Sequence, residues 1–211
     1  MATVVEPQNE PRFVLHGVSW QFYEHCLEEI GDRHIRLTYD RGSLEIMSPS
    51  PEHERYGRLI GRLILAFTEE MNVPIRSAGS TTWRREGLKR GLEPDDCYFI
   101  QHEALLRGRD EIDLSRDPPP DLAIEIEITQ NGISKMPVYA ALGIPEVWRF
   151  DGETLQVHCL TPRGEYVVQD RSPGLPLLPP TEVLRFLQRR NDTDETSWIR
   201  TFRQWVRENV I

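Results

Sequence analysis

Large apolar side chains occupy every second position of one eight-residue stretch of the sequence: Asp121-Leu122-Ala123-Ile124-Glu125-Ile126-Glu127-Ile128. Successive side chains of a β-strand point to opposite faces. The even positions are all large and apolar, whereas the odd positions carry both glutamates. We therefore predict a strand that is buried on one side and presents Glu125 and Glu127 on the other.

The position of this strand in the chain makes its two acids unusual. It lies between a predicted strand and a predicted helix, so it should be central in a sheet, where exposed acids are not expected. Carboxylates that gather in a cleft repel each other unless a cation neutralises them. Mg²⁺ binds one or two carboxylates and keeps several waters. Asp95, which follows Pro94 in the neighbouring strand, can supply a further carboxylate to such a site.

The apolar periodicity predicts the elements around this strand. Helices are expected over 20–30, 51–71, 134–142, 181–188 and 197–209, and strands over 35–39, 44–47, 74–78, 81–84, 94–100, 147–150, 155–160 and 165–169. This order favours an α/β fold whose core is a central mixed β-sheet flanked by helices, with an N-terminal β-hairpin and C-terminal helices added. We predict a single domain over 1–211, with a polar leader over 1–15 and a helical C-terminal extension over 180–211.

Composition limits the classes of function. The 211 residues carry a net charge of -9, from 25 Lys and Arg against 34 Asp and Glu, which argues against a protein that coats nucleic acid through bulk charge. The start of the chain does not have the pattern of a signal peptide, and no apolar run approaches the roughly 20 residues that a membrane span needs. The three cysteines are far apart and form no CxxC pair, so we expect a reduced, cytoplasmic protein.

Two groups of basic residues are candidates for binding nucleic-acid phosphates. Arg55, Arg58 and Arg62 follow one face of the helix predicted over 51–71. A basic loop over 84–91 adds a second group, consisting of Arg84, Arg85, Lys89 and Arg90. The alternative for the arginine row is an ordinary solvated helix face.

Lys135 stands at the start of the helix that follows the acidic strand, eight residues beyond Glu127. Its ammonium could reach back to the strand end, where it could activate a water or neutralise charge on a phosphate. The alternative is a surface lysine in the first helical turn, a position that the helix dipole does not favour.

Together, Pro94-Asp95, Glu125-x-Glu127 and Lys135 resemble the PD-(D/E)XK nuclease signature. Further blocks, in the same order, are similar to the Uma-type putative restriction endonuclease family and span roughly residues 20–160. These blocks are Gly42-Ser43-Leu44-Glu45-Ile46-Met47-Ser48-Pro49, Pro51-Glu52-His53-Glu54, Glu93-Pro94-Asp95-Asp96-Cys97-Tyr98, Pro119-Pro120-Asp121-Leu122-Ala123-Ile124-Glu125-Ile126 and, after Lys135, Gly143-Ile144-Pro145-Glu146-Val147-Trp148.

The resemblance implies a restriction-endonuclease-like core and a phosphodiesterase that acts on DNA with Mg²⁺ or Mn²⁺. It assigns Asp95 and Glu125 as metal ligands. The lysine of the signature falls at Glu127, so either Lys135 replaces it from the helix or Glu127 is a further ligand. Glu54 matches a helical acid that some members add to the catalytic site; its alternative role is an ion pair with Arg58 at i+4.

Two functional hypotheses follow. The first is a metal-dependent endodeoxyribonuclease, expected as a homodimer because cutting a duplex needs two sites. The second is a catalytically inactive protein on the same fold, acting as a DNA-binding or protein-interaction module. The retained acids favour the first, and the glutamate at the lysine position and the acidic net charge favour the second. A zinc-protease helix is excluded, because Gly57 stands where the second histidine after His53-Glu54 would be required.

Overall fold

The strands of the protein form two sheets in the computed structural model, which describes residues 10–31, 33–129 and 132–211. The first half of the chain contains β1 (Arg12–His16), α1 (Trp20–Ile30), β2 (Arg36–Asp40), β3 (Ser43–Met47), α2 (Pro51–Glu70), β4 (Arg76–Ser77), β5 (Trp83–Arg85), β6 (Arg90–Leu92), β7 (Asp96–Phe99) and α3 (Glu103–Leu106). The second half contains β8 (Leu122–Ile126), α4 (Met136–Leu142), β9 (Glu146–Phe150), β10 (Leu155–Leu160), β11 (Tyr166–Gln169), α5 (Pro180–Gln188) and α6 (Glu195–Asn209).

The larger sheet is the predicted mixed sheet. Its strand order is β11-β10-β9-β8-β7-β4, with β8 parallel to β9 and antiparallel to β7. The parallel pair needs a crossover, and α4 supplies it on one face of the sheet. On the other face, α2 packs over β8, α5 packs over β10, and α6 packs onto α2.

The acidic strand is covered on both faces, so the prediction that it is buried on one side only was wrong. All five residues of β8 are buried. Leu122, Ile124 and Ile126 belong to the core that includes α2, whereas Ala123 packs with Val138 of α4. The crossover helix returns over the face that carries Glu125, which the alternation in sequence could not reveal.

The smaller sheet has five antiparallel strands in the order β1-β3-β2-β6-β5, and α1 packs against it. The predicted N-terminal hairpin is confirmed as β2 and β3, which lie inside this sheet. The predicted basic loop over 84–91 is instead the hairpin of β5 and β6, joined by a short 3-10 turn at Glu86–Leu88. These strands are short and largely charged, so they lack the apolar alternation that marks a strand.

The predicted polar leader over 1–15 is contradicted where the structure describes it. Residues 12–16 form β1, an edge strand paired with β3, and Glu10 is buried. The part of the leader over 1–9 lies outside the described residues. The three apolar residues of β1, Phe13, Val14 and Leu15, are consecutive, so the sequence lacks the alternation that marks a strand with one buried face.

One glycine, Gly61, lets α2 approach the larger sheet closely. A Cβ atom at Gly61 would lie 2.8 Å from Oδ2 of Asp96 and 2.9 Å from the hydroxyl of Tyr98. At the start of the helix, the hydroxyl of Ser50 caps the backbone N–H of His53 at 3.1 Å. Close packing and this cap together hold the first turn of α2 beside Asp95, the residue just before β7.

The predicted C-terminal helices are α5 and α6, and they pack onto α2. Ion pairs join α6 to α2, among them Arg62 to Glu195 at 2.8 Å and Arg203 to Glu70 at 2.9 Å. Within the described ranges, no helix is both long enough and apolar enough to cross a bilayer.

Candidate functional site

Asp95 and Glu125 are brought together by the pairing of β7 with β8. Asp95 directly precedes β7, and its backbone N–H donates to the carbonyl of Ile124 at 3.1 Å. In return, the backbone N–H of Ile126 donates to Oδ2 of Asp95 at 2.7 Å. Both carboxylates are buried, with 2% of the Asp95 side chain and 1% of the Glu125 side chain exposed. The backbone pairing therefore makes Asp95 and Glu125 neighbours, and their joint role as metal ligands stays a prediction.

His53 connects Asp95 to a third buried carboxylate. Its Nε2 lies 2.7 Å from Oδ1 of Asp95, and its Nδ1 lies 2.7 Å from Oε1 of Glu10. Burial disfavours the charged ring, but hydrogen bonds to Asp95 and Glu10 outweigh it and raise the pKa of His53 to about 9. Burial opposes ionisation of Glu10 too, yet its contacts with His53 lower the pKa of Glu10 to about 2.

Lys135 and Tyr139 hold the carboxylate of Glu125 from α4. The ammonium of Lys135 donates to Oε1, and the hydroxyl of Tyr139 donates to Oε2 at 2.6 Å. Burial and the nearby charge of Asp95 outweigh the attraction of Lys135 and raise the pKa of Glu125 to about 7. Lys135 is buried, so it is not the surface lysine of the alternative interpretation.

Glu127 has a different partner from the other two acids. It follows the last residue of β8, is partly exposed, and forms an ion pair with Arg149. Among the residues that the structure describes, no three His, Cys, Asp or Glu side chains are arranged to hold a metal ion. Asp95, Glu125 and Glu127 are therefore not gathered into one three-ligand cluster, because each carboxylate is bound to its own cationic partner.

A cleft of about 510 Å³ opens beside Asp95, between the first turn of α2 and the loop over 79–82. Glu54 lines this cleft, and its carboxylate binds Arg36 at 2.9 Å. The alternative that paired Glu54 with Arg58 is therefore wrong, because Arg36 in the smaller sheet occupies the carboxylate. The Nε atom of Arg36 lies 3.9 Å from Oδ1 of Asp95.

The arginine row of α2 is divided between two surroundings. Arg58 lines the cleft, and within the described part of the chain it forms no ion pair. Arg55 and Arg62 both lie within ion-pair distance of Glu195 in α6, at 3.5 and 2.8 Å. Two of the three predicted phosphate contacts thus help to hold the C-terminal helix.

The second basic group lies on the hairpin of β5 and β6. Arg90 binds Asp40 at 2.7 Å, and Lys89 binds Glu86 at 3.1 Å. Arg84 and Arg85 are exposed, and none of the four lines the cleft beside Asp95. Their role in binding nucleic acid stays a prediction.

Four residues of the site were not predicted from the sequence. Glu10 and Arg36 approach from distant parts of the chain and carry no local motif. His53 had a signal, because it stands beside Glu54 in the block Pro51-Glu52-His53-Glu54. Tyr139 had a usable signal, because it lies four residues after Lys135 and so shares its side of α4.

The fold and the paired buried acids together define a restriction-endonuclease-like domain. A family model described as "Uma2: Putative restriction endonuclease" matches residues 20–191. The chain belongs to this Uma2 family. No curated protein matches it.

One solved structure with a detectable likeness is described as a putative nuclease belonging to DUF820 from Anabaena variabilis ATCC 29413. The likeness has a TM-score of 0.48 and 15% sequence identity, and it covers 77% of this chain and 90% of that one.

Proposed function

We propose that this protein is a metal-dependent endonuclease that hydrolyses phosphodiester bonds in DNA. The carrying observation is the pair of adjacent buried carboxylates, Asp95 and Glu125, with the ammonium of Lys135 bound to one of them. Membership of a restriction endonuclease family supports the same class of activity.

The donor atoms of the buried site suit a divalent cation. Asp95 and Glu125 supply carboxylate oxygens, which Mg²⁺ and Mn²⁺ prefer. Because Mg²⁺ takes only one or two carboxylates and completes its shell with water, Asp95 and Glu125 fit without a third protein ligand. Such an ion would stabilise the negative charge on the phosphate and would lower the pKa of a water bound to it.

Lys135 is the residue that we assign to the lysine of the nuclease signature. The signature places that lysine on the strand, where this chain has Glu127, but the ammonium of Lys135 arrives at Glu125 from α4 instead. There it can donate a proton to a phosphate oxygen or hold the attacking water by a hydrogen bond. Glu127 would have to leave Arg149 to become a ligand, so its metal role stays a prediction.

We propose that the DNA backbone enters the cleft beside Asp95. Arg36 and Arg58 line this cleft, and guanidinium groups are common partners of phosphate oxygens. Glu54, bound to Arg36, orients that guanidinium in this proposal. The acidic net charge is compatible with such a local basic lining, since only a few phosphates need to be contacted.

Two further expectations remain proposals. Cutting both strands of a duplex needs two active sites, so we expect a homodimer, which sedimentation velocity would detect. The cytoplasmic location expected from the cysteines also stays a prediction.

A plasmid-nicking assay tests the proposed activity. Supercoiled DNA would be incubated with Mg²⁺, Mn²⁺ or a chelator and the wild type, Asp95→Asn or Glu125→Gln. Glu146→Gln is the matched control, because Glu146 is also a buried carboxylate in this sheet but binds the Trp148 indole N–H at 2.6 Å, away from the cleft.

We expect metal-dependent nicking by the wild type and by the Glu146 variant, and none by the other two. Metal-dependent cutting that survives both site substitutions would overturn the site. If the wild type neither cuts DNA nor binds Mn²⁺ at millimolar concentration, the non-catalytic interaction module becomes the better description.

A further inference from the structure

We propose that Glu10 and His53 are a positioning pair that orients the carboxylate of Asp95 for metal binding. The residues just before β1 would then be part of the active site. This inference rests on the proposed function, because it assumes that Asp95 holds a cation.

Both oxygens of Asp95 are held by the protein. Oδ1 contacts Nε2 of His53 at 2.7 Å, and Oδ2 accepts the backbone N–H of Ile126 at 2.7 Å. A carboxylate fixed at both oxygens cannot turn about its Cβ–Cγ bond without breaking one of these contacts. The remaining lone pairs therefore keep a fixed direction, which is what a metal ligand requires.

Both members of the proposed pair are buried, and only His53 lines the cleft beside Asp95. The side chain of His53 is 1% exposed, and that of Glu10 is fully buried. A buried acid so close to the site is costly unless it is partnered. Its cationic partners are Nδ1 of His53, at 2.7 Å, and the guanidinium of Arg12, at 3.4 Å. The first of these contacts lets Glu10 orient the ring that binds Asp95.

Glu10 also joins other parts of the site. Its Oε1 accepts the backbone N–H and the hydroxyl of Ser50, both at 3.3 Å, at the start of α2. Its Oε2 accepts the hydroxyl of Thr129 at 2.5 Å, in the segment after β8. One side chain thus links the first turn of α2 to the end of the strand that carries Glu125.

Substitutions at His53 distinguish a role in orienting Asp95 from a role in filling space in the core. A glutamine amide can approximate Nε2 and keep a donor for Asp95, whereas an asparagine amide approximates Nδ1 and faces Glu10. Loss of outer partners typically lowers metal affinity by about 10- to 100-fold. We expect His53→Asn to weaken Mn²⁺ binding by about that factor, and His53→Gln to lose less.

The experiment measures Mn²⁺ binding by titration calorimetry and electron paramagnetic resonance, on full-length variants whose thermal melts show a folded state. Glu10→Gln is the second variant, and it decides the matter if both His53 variants fail to fold. His102→Gln is the matched control, because His102 forms a comparable contact with Asp121, 2.5 Å long, at the opposite end of β8.

We expect Glu10→Gln to weaken Mn²⁺ binding and His102→Gln to leave it unchanged. Unchanged binding in Glu10→Gln and in every folded His53 variant, beside a wild type that binds Mn²⁺, would overturn the positioning pair and leave the proposed nuclease standing. A wild type that binds no Mn²⁺ would overturn both.

Discussion

The ammonium of Lys135 is bound to the carboxylate of Glu125, with 6% and 1% of the two side chains exposed. The cation comes from a helix and the anion from the strand beneath it, ten positions earlier in the chain. Because both charges are removed from water, each is stable mainly through the other. The contribution of this ion pair to the free energy of unfolding can be measured without any substrate.

Replacement of Lys135 by Met should lower the free energy of unfolding by about 3–5 kcal/mol, because it leaves Glu125 as a buried charge without its cation. The double variant Lys135→Met/Glu125→Gln should recover part of this loss, since the uncompensated charge is then gone. Urea unfolding in metal-free buffer measures both, because a bound cation would stabilise the folded state and mask the effect. A loss below about 1 kcal/mol in the single variant, typical of exposed pairs, would contradict the prediction.

Glu127→Gln should change Mn²⁺ affinity much less than Glu125→Gln. Glu127 is already bound to Arg149, and two carboxylates satisfy the needs of the cation. Titration calorimetry on the two variants, prepared in parallel, provides the comparison. Equal losses in the two variants would identify Glu127 as a third ligand and show that its ion pair opens when metal binds.

Arg58→Ala should weaken binding to a short DNA duplex and reduce the slope of log affinity against log salt concentration by about 1, as expected for one lost phosphate contact. Arg62→Ala is the control, because Arg62 lies on the same helix but binds Glu195. We expect it to keep the salt slope of the wild type. Fluorescence anisotropy without divalent metal measures binding in the absence of cleavage, and identical slopes for all three proteins would place the DNA elsewhere.

Glu146→Gln should stabilise the protein increasingly as the pH rises. Burial raises the pKa of Glu146 above its ordinary value, even though Ser172, Gly174 and Trp148 donate hydrogen bonds to it. The folded state therefore binds this proton more tightly than the unfolded state. The corresponding stability is fully present below the unfolded pKa near 4.5 and is lost as the pH rises through the folded pKa.

A glutamine at position 146 stays neutral as the pH rises, so the variant does not lose this stability. Urea midpoints for the wild type and Glu146→Gln, taken from about pH 4 to about pH 8, should diverge in favour of the variant as the pH rises. A constant difference between the two proteins would show that Glu146 has the same pKa in the folded and unfolded states.

The choice of Asp95 as the neighbour of Glu125 rested partly on the family resemblance. Alternation, which depends on local sequence, was enough to predict that Glu125 lies on the face of β8 opposite Ile124 and Ile126. It could not reveal that α4 covers the face carrying Glu125, since that depends on the path of the crossover. Glu10 was assigned to a leader because its partners, Ser50 and Thr129, are 40 and 119 positions away. Contacts at such separations leave no periodic signal in a single sequence.

The edge strand β1 has a practical consequence for anyone preparing this protein. An affinity tag or fusion partner attached at the start of the chain would act on the segment that delivers Glu10 to His53, and could change cation binding without touching a ligand. Ile211 at the other end is 76% exposed. A carboxy-terminal tag is therefore the better choice for quantitative tests of the proposed metal binding.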